Sequence, residues 1–277
     1  VECKDAVPRK ASLELLSAGR QIAEKFSSVL FAVVMGSDMK NAAGIVSGYT
    51  DKTIVVDDGS LAEYGWDLMS SVLEGILTKY SPAIVLGTSS MTGKDLFPRL
   101  AARFQAAMVS DAVGVDLEGD GLKIKKPLYG GKVISWVAPG PEAMLIATFR
   151  PNSFAVNEPG RNGEIIEEKM NVSKDPGITV VSSTKAGSKK VDLQEADFII
   201  CGGRGMKAAE QFSLLEDIAG LMGGRVGASR TGVDSKWRDY DDQIGKSGKT
   251  VSPKLYIGCG VSGALHHIMG MDTSKVI

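Results

Sequence analysis

The chain has 277 residues, 43% of them hydrophobic and 23% charged, and 32 Lys and Arg balance 33 Asp and Glu to a formal net charge of −1. This length allows roughly two domains, each large enough to bury a core, and the composition is that of an ordinary soluble globular chain. The charge balance gives no electrostatic case for nucleic acid or an anionic membrane, and the longest apolar stretch, residues 29–36, falls far short of the ~20 residues that membrane insertion needs.

In chain order, Leu15, Ala18 and Ile22 share one helical face, with Leu16, Gly19 and Ala23 beside them. Residues 29–35, 53–56 and 83–86 are short apolar runs ended by Gly or Asp, as buried parallel strands are. Between the last two, Leu68, Val72, Leu73 and Ile76 form a second helical stripe. Strand, helix and strand in this order predict a parallel sheet with right-handed crossovers. The stretch from Gly87 to Asp95 resembles a phosphate loop, but five residues rather than four separate Gly87 from Gly93. Asp95 also stands where the magnesium-binding hydroxyl would be, so a locally capped helix start is the better reading.

From Val113 the pattern changes to alternation, with Leu122 and Ile124 apolar between Lys123 and Lys125 after the turn Glu118-Gly-Asp-Gly121. Residues 132–137, 144–148 and 165–169 continue this strand-rich part. The breaker-rich stretch 182–190 reads as an interdomain linker.

Past the linker comes the most informative segment, Phe198-Ile-Ile-Cys-Gly-Gly-Arg-Gly-Met-Lys-Ala208, an apolar strand that breaks into glycines and is then expected to turn helical. Gly203, Gly205 and Ala208 fit the dinucleotide fingerprint in its final-Ala form. A second copy follows the strand Leu255-Tyr-Ile, with Gly258, Gly260 and Gly263 in full G-x-G-x-x-G spacing. Glycine lets a phosphate approach the backbone, and the helix behind it offers free N–H groups. Two strand-led copies point to a nucleotide cofactor lying across one small α/β domain.

A nicotinamide site wants an acidic residue at the end of the next strand. Here the strand Arg225-Val-Gly-Ala228 ends in Ser229 and Arg230. A hydroxyl and a guanidinium suit phosphate, or an electron-rich ring that must carry negative charge; the alternative is that Arg230 is a solvated loop arginine. Cys3, Cys201 and Cys259 lack C-x-x-C spacing, which suits a reducing compartment and argues against zinc or iron–sulfur sites. Cys201 and Cys259 read as packing residues. His266 and His267 are the only histidines, and adjacent helical residues point about 100° apart, so both do not readily bind one metal.

Gly202-Gly-Arg-Gly205, Val226-Gly-Ala-Ser-Arg230, Gln243-Ile-Gly-Lys-Ser-Gly-Lys249 and Leu255-Tyr-Ile-Gly-Cys-Gly-Val-Ser-Gly-Ala-Leu-His-His267 resemble, in order and spacing, the alpha subunit of electron transfer flavoproteins. Gly87-Thr-Ser-Ser, Gly93-Lys-Asp-Leu96, Pro98-Arg-Leu-Ala-Ala102 and Thr148-Phe-Arg-Pro-Asn152 look like that family's N-terminal domain. The resemblance implies two α/β domains: an N-terminal parallel-sheet domain with a strand-rich extension, residues 1–186, and a doubly wound, Rossmann-like FAD-binding domain, residues 187–277. Both glycine turns are expected at the carboxyl ends of parallel strands of the second domain.

By the same resemblance, Arg204 and Ser229 lie in FAD-binding positions and Arg230 sits over the flavin ring, favouring negative charge there. Gln243, Ile244, Gly245, Lys246 and Ser247 match a loop that wraps the ring and ribityl chain. Ser247 stands where the family usually has Thr, and Lys246 where Gln is usual, a departure whose role stays open. Ser262, Gly263, Ala264, Leu265, His266 and His267 match the second glycine turn, with His267 placed at a ring carbonyl and His266 structural.

The implied function is an electron carrier with no substrate of its own. Its beta subunit completes an obligate heterodimer, and an acyl-CoA-type dehydrogenase of fatty-acid β-oxidation and an electron acceptor are transient partners. Two other readings remain: a nicotinamide-dependent oxidoreductase, which the missing ribose carboxylate disfavours, and a cofactor-free interaction subunit. Both ends read as incomplete, the first opening in the tail of a strand and the second domain stopping as another strand begins. A bacterial cytoplasm is the expected location; a mitochondrial matrix is equally reducing.

Overall fold

The computed structural model describes residues 1–119, 121–140, 144–169, 177–182 and 191–277. The chain divides into two compact units, Val1–Pro127 with Ile134–Lys185, and Leu128–Val133 with Ala186–Ile277. Apart from Ser182, the stretch read as a linker lies outside the described residues.

In the first unit, β1 (Cys3–Lys4) and β2 (Val7–Pro8) form a short antiparallel pair ahead of α1 (Lys10–Lys25). There follow β3 (Phe31–Gly36), α2 (Lys40–Ser47), β4 (Lys52–Asp57), α3 (Trp66–Tyr80), β5 (Ile84–Thr88), α4 (Met91–Arg103) and β6 (Ala107–Ala112). The stripes on α1 and α3 are the buried faces: Leu16, Ala18, Ile22 and Ala23 on one, Leu68, Val72, Leu73 and Ile76 on the other. β3 and β4 pair in parallel, from Phe31 opposite Lys52 to Gly36 opposite Asp57. At the start of α4 the Ser90 hydroxyl accepts from the Gly93 amide at 2.9 Å, the local cap that the sequence suggests.

The strand-rich part is more mixed than its pattern. β7 (Gly114–Asp116) and β8 (Lys123–Leu128) pair antiparallel, Val115 opposite Ile124, and β9 (Val133–Val137) lies beside β8. The next two strands return to parallel pairing. β10 (Leu145–Phe149) runs between β5 and β6 with all five residues buried, and β11 (Glu164–Glu167) pairs with β4. A strand that is apolar on both faces belongs in the middle of a covered parallel sheet.

The second unit is built on β12 (Phe198–Gly202), α5 (Phe212–Leu221), β13 (Arg225–Ala228), α6 (Arg230–Asp234), β14 (Leu255–Cys259) and α7 (Leu265–Ile268). All three strands are parallel, in the order β13-β12-β14. β12 is buried on both faces. Phe198 and Ile200 pack with Phe212, Leu215 and Ala219 of α5, while Ile199 and Cys201 pack with Leu193, Ile244, Val251, Tyr256 and Met271. Each large apolar side chain so buried contributes roughly 1.5–3 kcal/mol.

One expectation is corrected here. The first glycine turn does not open directly into a helix; two 3-10 turns, Arg204–Met206 and Ala209–Gln211, come first. Lys207 is left-handed and Ala208 extended, so the winding restarts at Ala209 and becomes α-helical at Phe212.

Candidate functional site

The chain leaves β12 for β13 on one side and later enters β14 on the other. The C-terminal end of β12 is therefore a topological switch point, the place where open parallel sheets bind ligands. Both glycine turns meet there. The Gly203 amide donates to the Cys259 carbonyl and the Gly205 amide to the Gly260 carbonyl, each at 2.9 Å. A Cβ on Gly203 would lie 2.4 Å from the Gly260 oxygen, and one on Gly205 would lie 2.7 Å from the Gly260 Cα. Main chain lies on main chain at this point, and only glycine fits.

The loop that follows α6 is held from below. Asp242 is buried and accepts from Arg225 at 3.1 Å and from the Arg238 Nε and terminal nitrogen at 3.0 and 2.7 Å; Arg238 also reaches Glu216. From this anchor, the Ile244 amide donates to the Ala228 carbonyl at 2.9 Å and the Lys246 amide to the His266 carbonyl at 2.7 Å. Gly245 turns the chain at φ 142°, and a Cβ on it would lie 2.9 Å from the His266 oxygen. Gln243 is buried and its amide nitrogen donates to the exposed Ser247 hydroxyl at 3.2 Å, so the loop is braced within itself.

These contacts bring the segments carrying the predicted residues to one edge. Ser229 begins where β13 ends, its amide donating to the Gly202 carbonyl at 3.0 Å. Its hydroxyl is buried and has no hydrogen-bond partner. Arg204 and Lys246 are exposed, as are Ser262, Gly263, Ala264, Leu265 and His266 on the second turn. Arg230 opens α6 with its side chain exposed and its Nε 3.3 Å from Asp234. Such an exposed pair is weak, so the guanidinium is free to turn toward a bound anion.

His267 is half-buried behind the second turn. Its two ring nitrogens are both engaged within the chain, Nε2 with the Tyr256 hydroxyl at 2.7 Å and Nδ1 with the Ile244 carbonyl at 3.1 Å. Of the two histidines, the exposed one is His266.

The network behind the edge is electrically neutral. Burial lowers the His267 pKa below the usual imidazole value, against a smaller raising effect of the Ile244 carbonyl. Burial also pushes the Cys201 thiol up to about 12 and raises the Tyr256 phenol, so both keep their protons. Cys201 is a packing residue, not a nucleophile.

Sequence reasoning missed Tyr256 and Asp242. A tyrosine buried on a strand needs a partner for its hydroxyl, and an acid run of Asp239, Asp241 and Asp242 beside the loop held a buried member. Either signal was available. Elsewhere, a cleft in the first unit lined by Arg20, Tyr49, Asn157 and Arg161 has its arginines in ion pairs with Asp51 and Glu24.

The edge fits a dinucleotide: two docked glycine turns and an orphaned serine hydroxyl beside them, with cationic side chains exposed on both flanks. The comparisons agree. Residues 1–173 match the model of the electron transfer flavoprotein domain, and residues 192–272 that of the electron transfer flavoprotein FAD-binding domain. The chain is 38% identical to the electron transfer flavoprotein subunit alpha of Bacillus subtilis over 100% of its own length and 85% of the relative's. It is 34% identical to Protein FixB of Clostridium saccharobutylicum, over 100% of this chain and 84% of that one. It is 30% identical to the acryloyl-CoA reductase electron transfer subunit beta of Anaerotignum propionicum, over 95% of this chain and 81% of that one. The chain belongs to the electron transfer flavoprotein alpha-subunit family, and the segment that carries both glycine turns is its FAD-binding domain.

Proposed function

We propose that this chain is the alpha subunit of a heterodimeric electron carrier that takes electrons from an acyl-CoA-type flavin dehydrogenase and passes them to a downstream acceptor, without converting a substrate itself. The observation that carries this reading is the C-terminal edge of β12, where Gly203, Gly205 and Gly260 interlock beside the unpartnered Ser229 hydroxyl. Bound FAD supplies the redox chemistry, in one- or two-electron steps.

The chain's own residues bind and bias that cofactor. Ser229 donates its hydroxyl to a pyrophosphate oxygen, and Arg204 supplies positive charge beside it. Gln243, Ile244, Gly245, Lys246 and Ser247 wrap the ring and ribityl portion, and the turn of Ser262, Gly263, Ala264, Leu265, His266 and His267 closes the other side. Arg230 places its guanidinium against the ring and favours negative charge on it. The end of β13 offers a serine and an arginine where a nicotinamide site would want a carboxylate. The ring needs cover from bulk water, which the family's beta subunit provides in an obligate one-to-one pair. The acyl-CoA-type donor is supported by the name of the Anaerotignum propionicum relative, which ties that protein to an acryloyl-CoA reductase.

Rapid-mixing spectroscopy of the flavin-loaded heterodimer tests this. Bleaching of its flavin absorption by an acyl-CoA dehydrogenase with its thioester substrate is the expected result. A flavin that such dehydrogenases leave oxidised, but that reduced nicotinamide nucleotide bleaches, would overturn the reading.

A further inference from the structure

We propose that Glu2 is an internal anion of the first unit: its carboxylate occupies the phosphate-loop-like turn between Gly87 and Gly93 and closes that turn to phosphate. The turn follows β5, which pairs in parallel with β10, and it opens α4. It therefore stands at the carboxyl edge of a parallel sheet and at a helix start, where phosphates are commonly bound. Such a start favours negative charge, yet α4 has no acidic residue in its own first turn. The charge is supplied by Glu2, 88 positions before Ser90 in the chain.

The Thr88 and Ser90 hydroxyls both donate to the Glu2 Oε1, Ser90 at 2.6 Å. The Ser90 oxygen in turn accepts from the Gly93 amide at 2.9 Å, so the helix cap and the carboxylate are joined through one hydroxyl. Hydrogen bonds to an ionised oxygen are stronger than neutral ones. The other oxygen, Oε2, lies 4.0 Å from the Arg9 guanidinium. Ser89, between the two donors, is buried and turns its hydroxyl inward to Thr148 at 3.1 Å. A phosphate in this turn would call on the same two hydroxyls. At the β12 edge the Ser229 hydroxyl has no partner, whereas here both are engaged by the chain's own carboxylate.

The main chain of Glu2 is held independently of its carboxylate. Its amide donates to the Ser12 Oγ at 2.8 Å, and its carbonyl accepts from the Arg9 amide at 2.9 Å and from the Ser12 hydroxyl at 3.3 Å. The backbone is thus fixed at the start of α1 while the side chain reaches across to α4. Gly93 keeps the turn tight, since a Cβ there would lie 1.9 Å from the Thr88 carbonyl oxygen. With both sides anchored, truncating Glu2 vacates the anion position without moving the groups around it. The inference concerns the first unit alone and does not rest on the function proposed above.

The test titrates the full chain with inorganic phosphate and with sodium acetate, using sodium chloride at matched ionic strength as the control. In the wild type, the amide NMR signals of residues 88–93 should not move with phosphate. Glu2→Ala should lower the folding equilibrium constant by about tenfold or more, the usual size of effect for a hydrogen bond to a charged group. Acetate, which returns a carboxylate, should recover part of that loss in urea unfolding, and phosphate should shift the signals of residues 88–93 saturably. Glu2→Gln keeps the shape and one acceptor without the charge, so its stability should fall between the two. Saturable phosphate shifts in the wild type would overturn the closure. A Glu2→Ala chain as stable as the wild type, or one that answers neither acetate nor phosphate, would overturn the internal anion. If Glu2→Ala does not fold, Glu2→Gln decides: a loss of stability supports the proposal, and wild-type stability overturns it.

Discussion

The Gly205 amide donates to the Gly260 carbonyl across 2.9 Å, and this bond joins the first glycine turn to the second. Two sequence copies of one motif, on strands flanking one another in the sheet, thereby become a single binding edge.

Gly205→Ala tests that junction. Its Cβ would lie 2.7 Å from the Gly260 Cα, main chain that has no side chain to move aside. The variant should lose roughly 1–3 kcal/mol of stability, the usual range for overpacking, and its FAD with it. Urea unfolding and flavin content measure the two effects. Gly220→Ala, on α5 and with nothing within 4 Å of the added carbon, is the control and should keep its flavin.

Ser229→Ala should act with opposite signs on the two states. The hydroxyl is buried without a partner, a situation that costs on the order of 1–3 kcal/mol, so removing it should leave the FAD-free chain as stable or more so. With FAD bound, the same change removes a hydrogen bond to a charged oxygen and should weaken affinity by about tenfold or more. Thermal melts with and without FAD show both. A variant less stable in both states would make Ser229 a structural residue.

Asp242→Asn tests the loop anchor. The carboxylate answers two arginines, and removing one member of a buried charged cluster typically costs about 3–5 kcal/mol. Equilibrium unfolding should show a loss of this order, and faster hydrogen exchange at Gln243 and Ile244 should accompany it.

The parallel core was legible because its strands are short apolar runs closed by glycine or aspartate. β10 was less so. Its sequence reads as a strand, but nothing local says that Leu145 pairs with Ile84 and Ala107, far upstream. Long-range pairing is set by which surfaces must be covered, and a local pattern does not contain it. In the site, the glycines and Ser229 stood out because their spacing is imposed by close backbone approach. The orientation of His267 did not. Whether an imidazole faces a ligand or a tyrosine depends on the packing of β14 against the loop, which residue types do not reveal.

Arg230→Ala tests the charge beside the ring. The side chain is exposed and its pair with Asp234 is long, so stability should barely change. The first reduction potential of bound FAD should fall, each tenfold loss of stabilisation corresponding to ~59 mV, and Arg230→Lys should lie between the two. Potentiometric titration of the three proteins gives the order. An unchanged potential in the alanine variant would make Arg230 a solvated residue.

The pH dependence follows from His267. Burial lowers its pKa in the folded chain, while the unfolded ring titrates near 6.5. Below that value, and down to the lowered folded pKa, the unfolded state binds more protons, so this group's contribution to stability is present above about 6.5 and lost as pH falls. Urea midpoints should therefore drop on acidification from neutral pH, and His267→Gln should flatten that part of the slope.

The central claim is that the C-terminal edge of β12 holds FAD. Its most direct test is the visible absorption and flavin content of the full chain purified with the family's beta subunit in the presence of excess FAD, followed by gel filtration. One tightly held FAD per alpha–beta pair in the wild type, with a markedly lower content in the Gly205→Ala and Ser229→Ala variants, is the predicted result. A colourless wild-type complex, or flavin retained at full stoichiometry by both variants, would contradict it.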